Sequence, residues 1–204
     1  MKTIAIVSQK GGAGKTTLAV HLAVCAELNK KSTVVLDLDP QGSTVAWRQS
    51  RELETPDVLA ATPEQLASLK QQASDLKTHL LLIDTAPHSN KAAAMSAQFA
   101  DLVLIPCRPS VLDINAIQST LDTLKLTNTP AVIVLNGIPT SGHREQEARD
   151  ALKGMCEVAP VAIYNRVAYS DALNDGRAVN EYDPKGKAAK EIMALYRWCM
   201  KQHN

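Results

Sequence analysis

Aromatic residues are scarce in this chain: one Phe, two Trp and four Tyr make up 3% of 204 residues. Proteins that grip single-stranded nucleic acid stack its bases on aromatic platforms, and a chain this poor in them does not suit that chemistry. Long apolar runs are also missing. With no stretch of about 18 uncharged apolar residues, no transmembrane helix is expected. The four cysteines, Cys25, Cys107, Cys156 and Cys199, contain no C-x-x-C pair. That spacing fits reduced thiols acting as small core residues rather than a disulfide or metal framework. Charge of one sign is lacking too: a formal net charge of +1 offers a polyanion no global attraction. Linkers rich in Pro, Gly or Ser, internal repeats and low-complexity segments are absent, so residues 1–204 read as one domain. His143 and Glu147 are four apart on an expected helix, but with no third ligand nearby they read as a solvated face. The chain runs from Met1 directly into its first expected strand, leaving no room for a signal peptide, and a cytoplasmic location is expected.

What the chain does contain is a rhythm of short apolar runs. Strands are expected at residues 3–8, 33–39, 79–85, 101–107, 130–136 and 158–164. Several, such as Ala131-Val132-Ile133-Val134-Leu135, are nearly continuous in branched apolar residues, the pattern of strands covered on both faces. Helices are expected at 15–29, 43–53, 63–76, 90–100, 114–126, 144–155 and 186–202. Alternation of the two types predicts an α/β fold with a doubly wound, mainly parallel sheet and right-handed crossovers.

The first strand leads into Ser8-Gln9-Lys10-Gly11-Gly12-Ala13-Gly14-Lys15-Thr16-Thr17. A glycine-rich bend between a strand and a helix lets backbone N–H groups of residues 11–17 converge on phosphate oxygens, with the positive end of the helix dipole behind them. In such a loop Lys15 neutralises β- and γ-phosphates and the Thr16 hydroxyl binds Mg²⁺. The general phosphate-loop pattern wants glycine at position 9, where this chain has Gln9. Two more apolar strands end in carboxylates: Val34-Val35-Leu36-Asp37-Leu38-Asp39 and Leu80-Leu81-Leu82-Ile83-Asp84. In open α/β sheets those ends border the ligand crevice.

Lys10 to Thr16 resembles the deviant Walker A loop of the ParA/MinD family, in which the first glycine is not kept and an early lysine is added. Residues 34–42 and 80–87, which carry Asp39 and Asp84, resemble that family's Walker A′ and Walker B segments, and the likeness extends over essentially the whole chain. It implies a P-loop NTPase fold in three α/β/α layers and a Mg²⁺-dependent ATPase of slow intrinsic rate. By the same resemblance Lys10 reaches across a dimer interface to the partner's nucleotide, Asp39 orients the attacking water, and Asp84 holds the Mg²⁺ shell through water. Asp37 either assists with Mg²⁺ or is hydrogen-bonded beneath the site. Asn136 stands where family members place an adenine-contacting Asn. Ala86 and His88 depart from a Walker B loop that more often carries prolines and glycine.

Residues 163–172 and 182–187 resemble the distal part of partition ParA proteins, so Arg166, Lys185 and Lys187 are the candidate contacts to duplex DNA. The terminal segment adds to this: Lys185, Lys187, Lys190, Arg197 and Lys201 face a single acid, Glu191. The implied partners are a second copy in an ATP-dependent homodimer, nonspecific duplex DNA and a ParB-like centromere-binding protein that stimulates hydrolysis. The ATP form would then sit on the nucleoid, with no stable membrane association. The chain starts at the ATPase strand and so looks like the short ParA type, without a helix-turn-helix extension. Two alternatives stand beside this one: a MinD-like membrane-surface switch using the amphipathic last helix, and a ParA-like ATPase moving a cargo other than DNA. Superfamily ligases of biotin and cobalamin pathways lack the early lysine, and Lys10 speaks against them. Tyr164, Tyr169, Tyr182 and Tyr196 are too scattered for a tyrosine-kinase tail.

Overall fold

A computed structural model of the chain describes residues 1–202; residues 203–204, the end of the basic segment and of the expected domain, lie outside them. Its strands are β1 (Lys2–Ile6), β2 (Thr33–Asp37), β3 (Asp57–Ala60), β4 (Leu80–Asp84), β5 (Leu102–Cys107), β6 (Ala131–Ile138), β7 (Glu157–Val158) and β8 (Ile163–Tyr164). Its α-helices are α1 (Lys15–Leu28), α2 (Ser43–Ser50), α3 (Leu66–Asp75), α4 (Asn90–Phe99), α5 (Val111–Leu124), α6 (Arg144–Leu152), α7 (Val167–Asn174), α8 (Val179–Tyr182) and α9 (Lys187–Lys201). All strand pairs are parallel, in the order β3-β2-β4-β1-β5-β6-β7, and β8 pairs with the end of β6.

The near-continuous apolar runs follow from burial on both faces. One face carries Ile4, Ile6, Val35, Leu80, Leu82, Leu104 and Val134 against Leu18, Leu22, Tyr169, Val179, Ile192 and Leu195 of α1, α7, α8 and α9. The other carries Ala5, Leu36, Leu81, Ile83, Val103, Ile105 and Leu135 against Leu66, Ala93, Ala97, Ile117, Leu124, Ala148 and Leu152 of α3 to α6. Each fully buried Leu or Ile contributes about 1.5–3 kcal/mol to this sandwich. Helix α1 is apolar almost all round because it lies between the sheet and the outer helices α2, α8 and α9.

Four local departures from the expected elements have physical causes. Strand β3 leaves no pattern in the sequence, being a four-residue edge strand whose mostly exposed side chains give no apolar run; pairing with β2 creates it. The single strand expected at 158–164 is two short strands, divided where Pro160 cannot donate to a ladder. Helices α7 and α8 lie in a stretch read without helices, and α8 is started by Glu181, whose carboxylate accepts the Ala178 N–H at 3.0 Å. Helix α5 begins at Val111 rather than 114, because Ser110 caps it by accepting the Asp113 N–H at 3.1 Å.

Because β1 lies between β4 and β5, the chain winds away from it in both directions. The loops after β1, β2 and β4 meet at the carboxyl edge of the sheet, at the switch point where such folds bind ligands.

Candidate functional site

Strand register sets the floor of this crevice. Ile6, Asp84 and Asp37 are paired in one row at the carboxyl ends of three adjacent strands. Above them the loop after β1 turns into α1 through Gly12 (φ 70°) and Gly14 (φ 99°), both left-handed. No side chain caps the α1 N-terminus, so its first N–H groups face the crevice. Gln9 needs no such backbone. It turns away from the crevice, its amide on Asn90 of α4 and its N–H 3.4 Å from the Thr120 hydroxyl of α5, and a glycine there is dispensable.

Gly14 admits no side chain. A Cβ there would overlap the Asn136 amide nitrogen, which donates to the Ala13 carbonyl at 2.6 Å and ties the loop to the end of β6. Gly14→Ala is therefore expected to cost about 1–3 kcal/mol through backbone strain alone, and to weaken nucleotide binding. Thermal unfolding with and without nucleotide checks this; a parent-like melting temperature with parent-like binding would show that the loop tolerates the overlap.

The two strand-end carboxylates beneath the loop have separate jobs. Both Asp37 oxygens accept backbone N–H groups, Oδ1 from Asp39 at 3.0 Å and Oδ2 from Thr44 at 3.0 Å and Val45 at 3.2 Å. Of the two readings open for Asp37, the geometry matches the one beneath the site, as the bracket of α2. Burial raises its pKa, and those three bonds oppose the rise. Asp84 is fully buried, and one oxygen, Oδ2, takes the hydroxyls of Thr16 at 2.7 Å and Thr44 at 2.8 Å. Its other oxygen, Oδ1, is buried with no hydrogen-bond partner. Burial pushes the Asp84 pKa up to about 6, against the pull of the two threonines and Lys15. Thr44 had no place in the sequence reading; its only signal was its position two residues after Gly42 in the turn that follows Asp39.

Lys15 is 7% exposed and donates to the Lys10 carbonyl at 3.3 Å. Burial lowers its pKa while Asp84 and Asp39 hold it up. A cleft of about 320 Å³ opens over it, lined by Gly12, Gly14, Lys15, Thr16, Thr17, Asp39, Ser43, Pro87 and Arg108. Asp39 is half-buried on its wall and accepts the Gln41 N–H at 2.9 Å. Lys10 is outside that lining. In the loop after Asp84, His88 adopts a left-handed φ of 57°, the conformation glycine favours.

Residues 4–181 match the CobQ/CobB/MinD/ParA nucleotide binding domain family. The chain belongs to that family. It is 31% identical to maintenance of carboxysome distribution protein A from Gloeobacter kilaueensis, over 96% of this chain and 91% of that protein. It is 25% identical to the chromosome partitioning protein ParA of Myxococcus xanthus, over 98% of this chain and 88% of that protein. The septum site-determining protein MinD of Pyrococcus horikoshii, solved with Mg-ADP, superimposes with a TM-score of 0.78 at 18% identity, covering 98% and 96% of the two chains. The fold is thus the parallel P-loop NTPase fold of ParA and MinD.

The remaining family-type candidates lie elsewhere. Lys185 and Lys187 are exposed just before and at the start of α9. Arg166 is half-buried, ion-paired to Glu191 at 2.6 Å and stacked 5.2 Å over the Tyr164 ring, so its charge is already largely answered. The apolar stripe of α9, Ile192, Leu195, Tyr196 and Cys199, is buried in the core against α1. Among the described residues no helix is long and apolar enough to cross a membrane, and no three His, Cys, Asp or Glu side chains are grouped to hold a metal. A larger cleft, about 650 Å³, lies between Ser50–Leu53 and Asn174–Arg177, where Arg51 is paired to Glu181 and Arg177 to Asp175.

Proposed function

We propose that residues 1–204 act as one Mg²⁺-dependent ATPase domain that positions cargo. Two copies close over ATP, the closed dimer holds duplex DNA without sequence preference, and a cargo-bound ParB-like partner triggers hydrolysis and release. The observation that carries this reading is the cleft itself: Lys15, Thr16 and Asp39 line one space of about 320 Å³, Thr16 bonds the buried Asp84, and Lys10 is not among the lining residues.

Mg²⁺ fits these residues, since the buried Asp84 Oδ1 lacks a partner beside the Thr16 hydroxyl. Thr16 and, through water, Asp84 would hold the ion, which supplies charge neutralisation at the phosphates, the main requirement of phosphoryl transfer to water. The loop N–H groups of residues 11–17 and Lys15 hold the phosphates in place. Asp39, on the cleft wall, orients the attacking water, and Asn136 keeps the loop in register beside the expected adenine position. Lys10, which is not among the residues lining the cleft, is assigned to the nucleotide of a second subunit. Lys10→Ala is expected to bind ATP as a monomer and to give no stimulated turnover. Sedimentation with a non-hydrolysable ATP analogue tests the scheme: parent chain as dimer and variant as monomer are expected, and a parent chain that stays monomeric refutes it.

The DNA surface rests on Lys185 and Lys187, joined by exposed Lys190, with Arg166 bridging to α9 through Glu191. Dimerisation links two such patches and raises their joint affinity. Changing Lys185 and Lys187 to Glu should weaken duplex DNA binding at least about tenfold at fixed salt and flatten the salt dependence by roughly one unit per lost phosphate contact. ATP binding should be unaffected. A double variant that binds DNA like its parent would move this surface elsewhere. The cargo is a plasmid or chromosome in this reading, with localisation in the cytoplasm on the nucleoid. The similarity to the carboxysome distribution protein supports a second reading, in which the same cycle moves a protein assembly. The burial of the α9 stripe argues against a membrane-inserting role for that helix.

A further inference from the structure

We propose that Arg108, at the end of β5, is a second phosphate-binding cation of the nucleotide site, acting on the nucleotide held by its own subunit. This rests on the reading of the cleft as a nucleotide site.

Three observations place it. Arg108 lines the same cleft as Lys15 and Thr16. Its two terminal nitrogens lie 3.8 Å from the point a Cβ on Gly12 would occupy, which sets the guanidinium within contact distance of the left-handed turn of the loop. Its aliphatic stem rests 3.8 Å from the corresponding point on Gly137, another left-handed glycine, at the end of β6. The loop at Gly12 and the end of β6 at Gly137 thus flank one arginine side chain. Among the described residues the guanidinium has no hydrogen-bond, ion-pair or aromatic partner, in contrast to Arg51, Arg149, Arg166 and Arg177, each bound to a carboxylate.

Charge balance says why a second cation belongs there. Lys15 shares its surroundings with Asp84 and Asp39, so the site's own carboxylates offset the loop's ammonium before any phosphate arrives. A planar guanidinium beside loop N–H groups can give two parallel bonds to non-bridging phosphate oxygens, which a point-charge lysine cannot.

The test is calorimetric titration of Mg-ADP, a non-hydrolysable Mg-ATP analogue and Mg-pyrophosphate into the parent chain, Arg108→Ala and Arg108→Lys, with circular dichroism to verify the fold. Arg108→Ala is expected to weaken all three ligands by roughly ten- to a hundredfold, with partial recovery in Arg108→Lys. Affinities within twofold of the parent overturn the assignment. Weakened ADP with unchanged pyrophosphate would place the contact on the base, and a loss confined to the dimeric analogue complex would place it across the interface; either overturns the proposal as stated. A parent chain that binds none of the ligands would refute the nucleotide reading itself, a result distinct from failure of Arg108 alone.

Discussion

Replacing Lys15 by alanine is expected to lower affinity for a fluorescent ATP analogue at least a hundredfold while leaving the fold intact. The loss corresponds to about 3 kcal/mol, the upper range for a hydrogen bond to a charged group. Lys15 is 7% exposed, and the charges that act on it, Asp84 and Asp39, are carboxylates that repel a phosphate. Removing it leaves those two acids facing the ligand with only backbone dipoles to offset them. The fold should not suffer, because burial lowers the Lys15 pKa and its deletion relieves a desolvated charge. Equilibrium titration decides the point, and unchanged affinity would remove Lys15 from the phosphate site.

Asp84→Asn is expected to stabilise the nucleotide-free chain at neutral pH and to abolish the Mg²⁺-dependent part of nucleotide binding. The Asp84 carboxyl titrates near 3.8 when unfolded and at about 6 in the fold. Between those values the folded chain holds a proton that the unfolded chain has released, so stability falls as pH rises through that window. Above it the ionised, buried carboxylate costs on the order of 3 kcal/mol, with Oδ1 unpartnered. The amide removes that charge and should raise the melting temperature by several degrees, at about 2–4 °C per kcal/mol for a chain of this size. At pH 4, where Asp84 is itself protonated, the advantage should vanish. Mg²⁺ must displace the same proton, so Mg-nucleotide affinity of the parent should fall up to about tenfold per pH unit below 6. Thermal melts at pH 4 and 7, paired with Mg²⁺ titrations, check both halves. A variant less stable than its parent at pH 7 would show that the carboxylate is a net support of the fold.

The nucleotide loop was legible because its chemistry is local: a strand, a glycine bend and a helix start occupy consecutive residues, and spacing alone puts Lys15 and Thr16 at the helix N-terminus. The covered strands were legible because burial on both faces writes itself as unbroken runs of Val, Ile and Leu. Strand β3 left no such trace, since an edge strand with exposed side chains exists only through its pairing with β2. Thr44 and Arg108 carry no role legible in the sequence for a related reason. Neither belongs to a spaced motif with the loop; Thr44 meets Asp84 at 2.8 Å across 40 residues, and Arg108 meets Gly12 across the β1–β5 boundary.

By itself the sequence determined the fold class, the phosphate loop and the order of the carboxylates at the ends of strands β2 and β4, all carried by neighbours along the chain. Tertiary structure decided what those carboxylates face. Parallel register put Asp37 and Asp84 side by side, yet three backbone N–H groups saturate the first while the second keeps an unpartnered oxygen. It also decided which charges are available: Glu191 answers Arg166, and nothing among the described residues answers Arg108. Identity and spacing specify which groups exist, but burial and pairing between distant segments set whether each is satisfied, and only an unsatisfied group is ready to take a ligand.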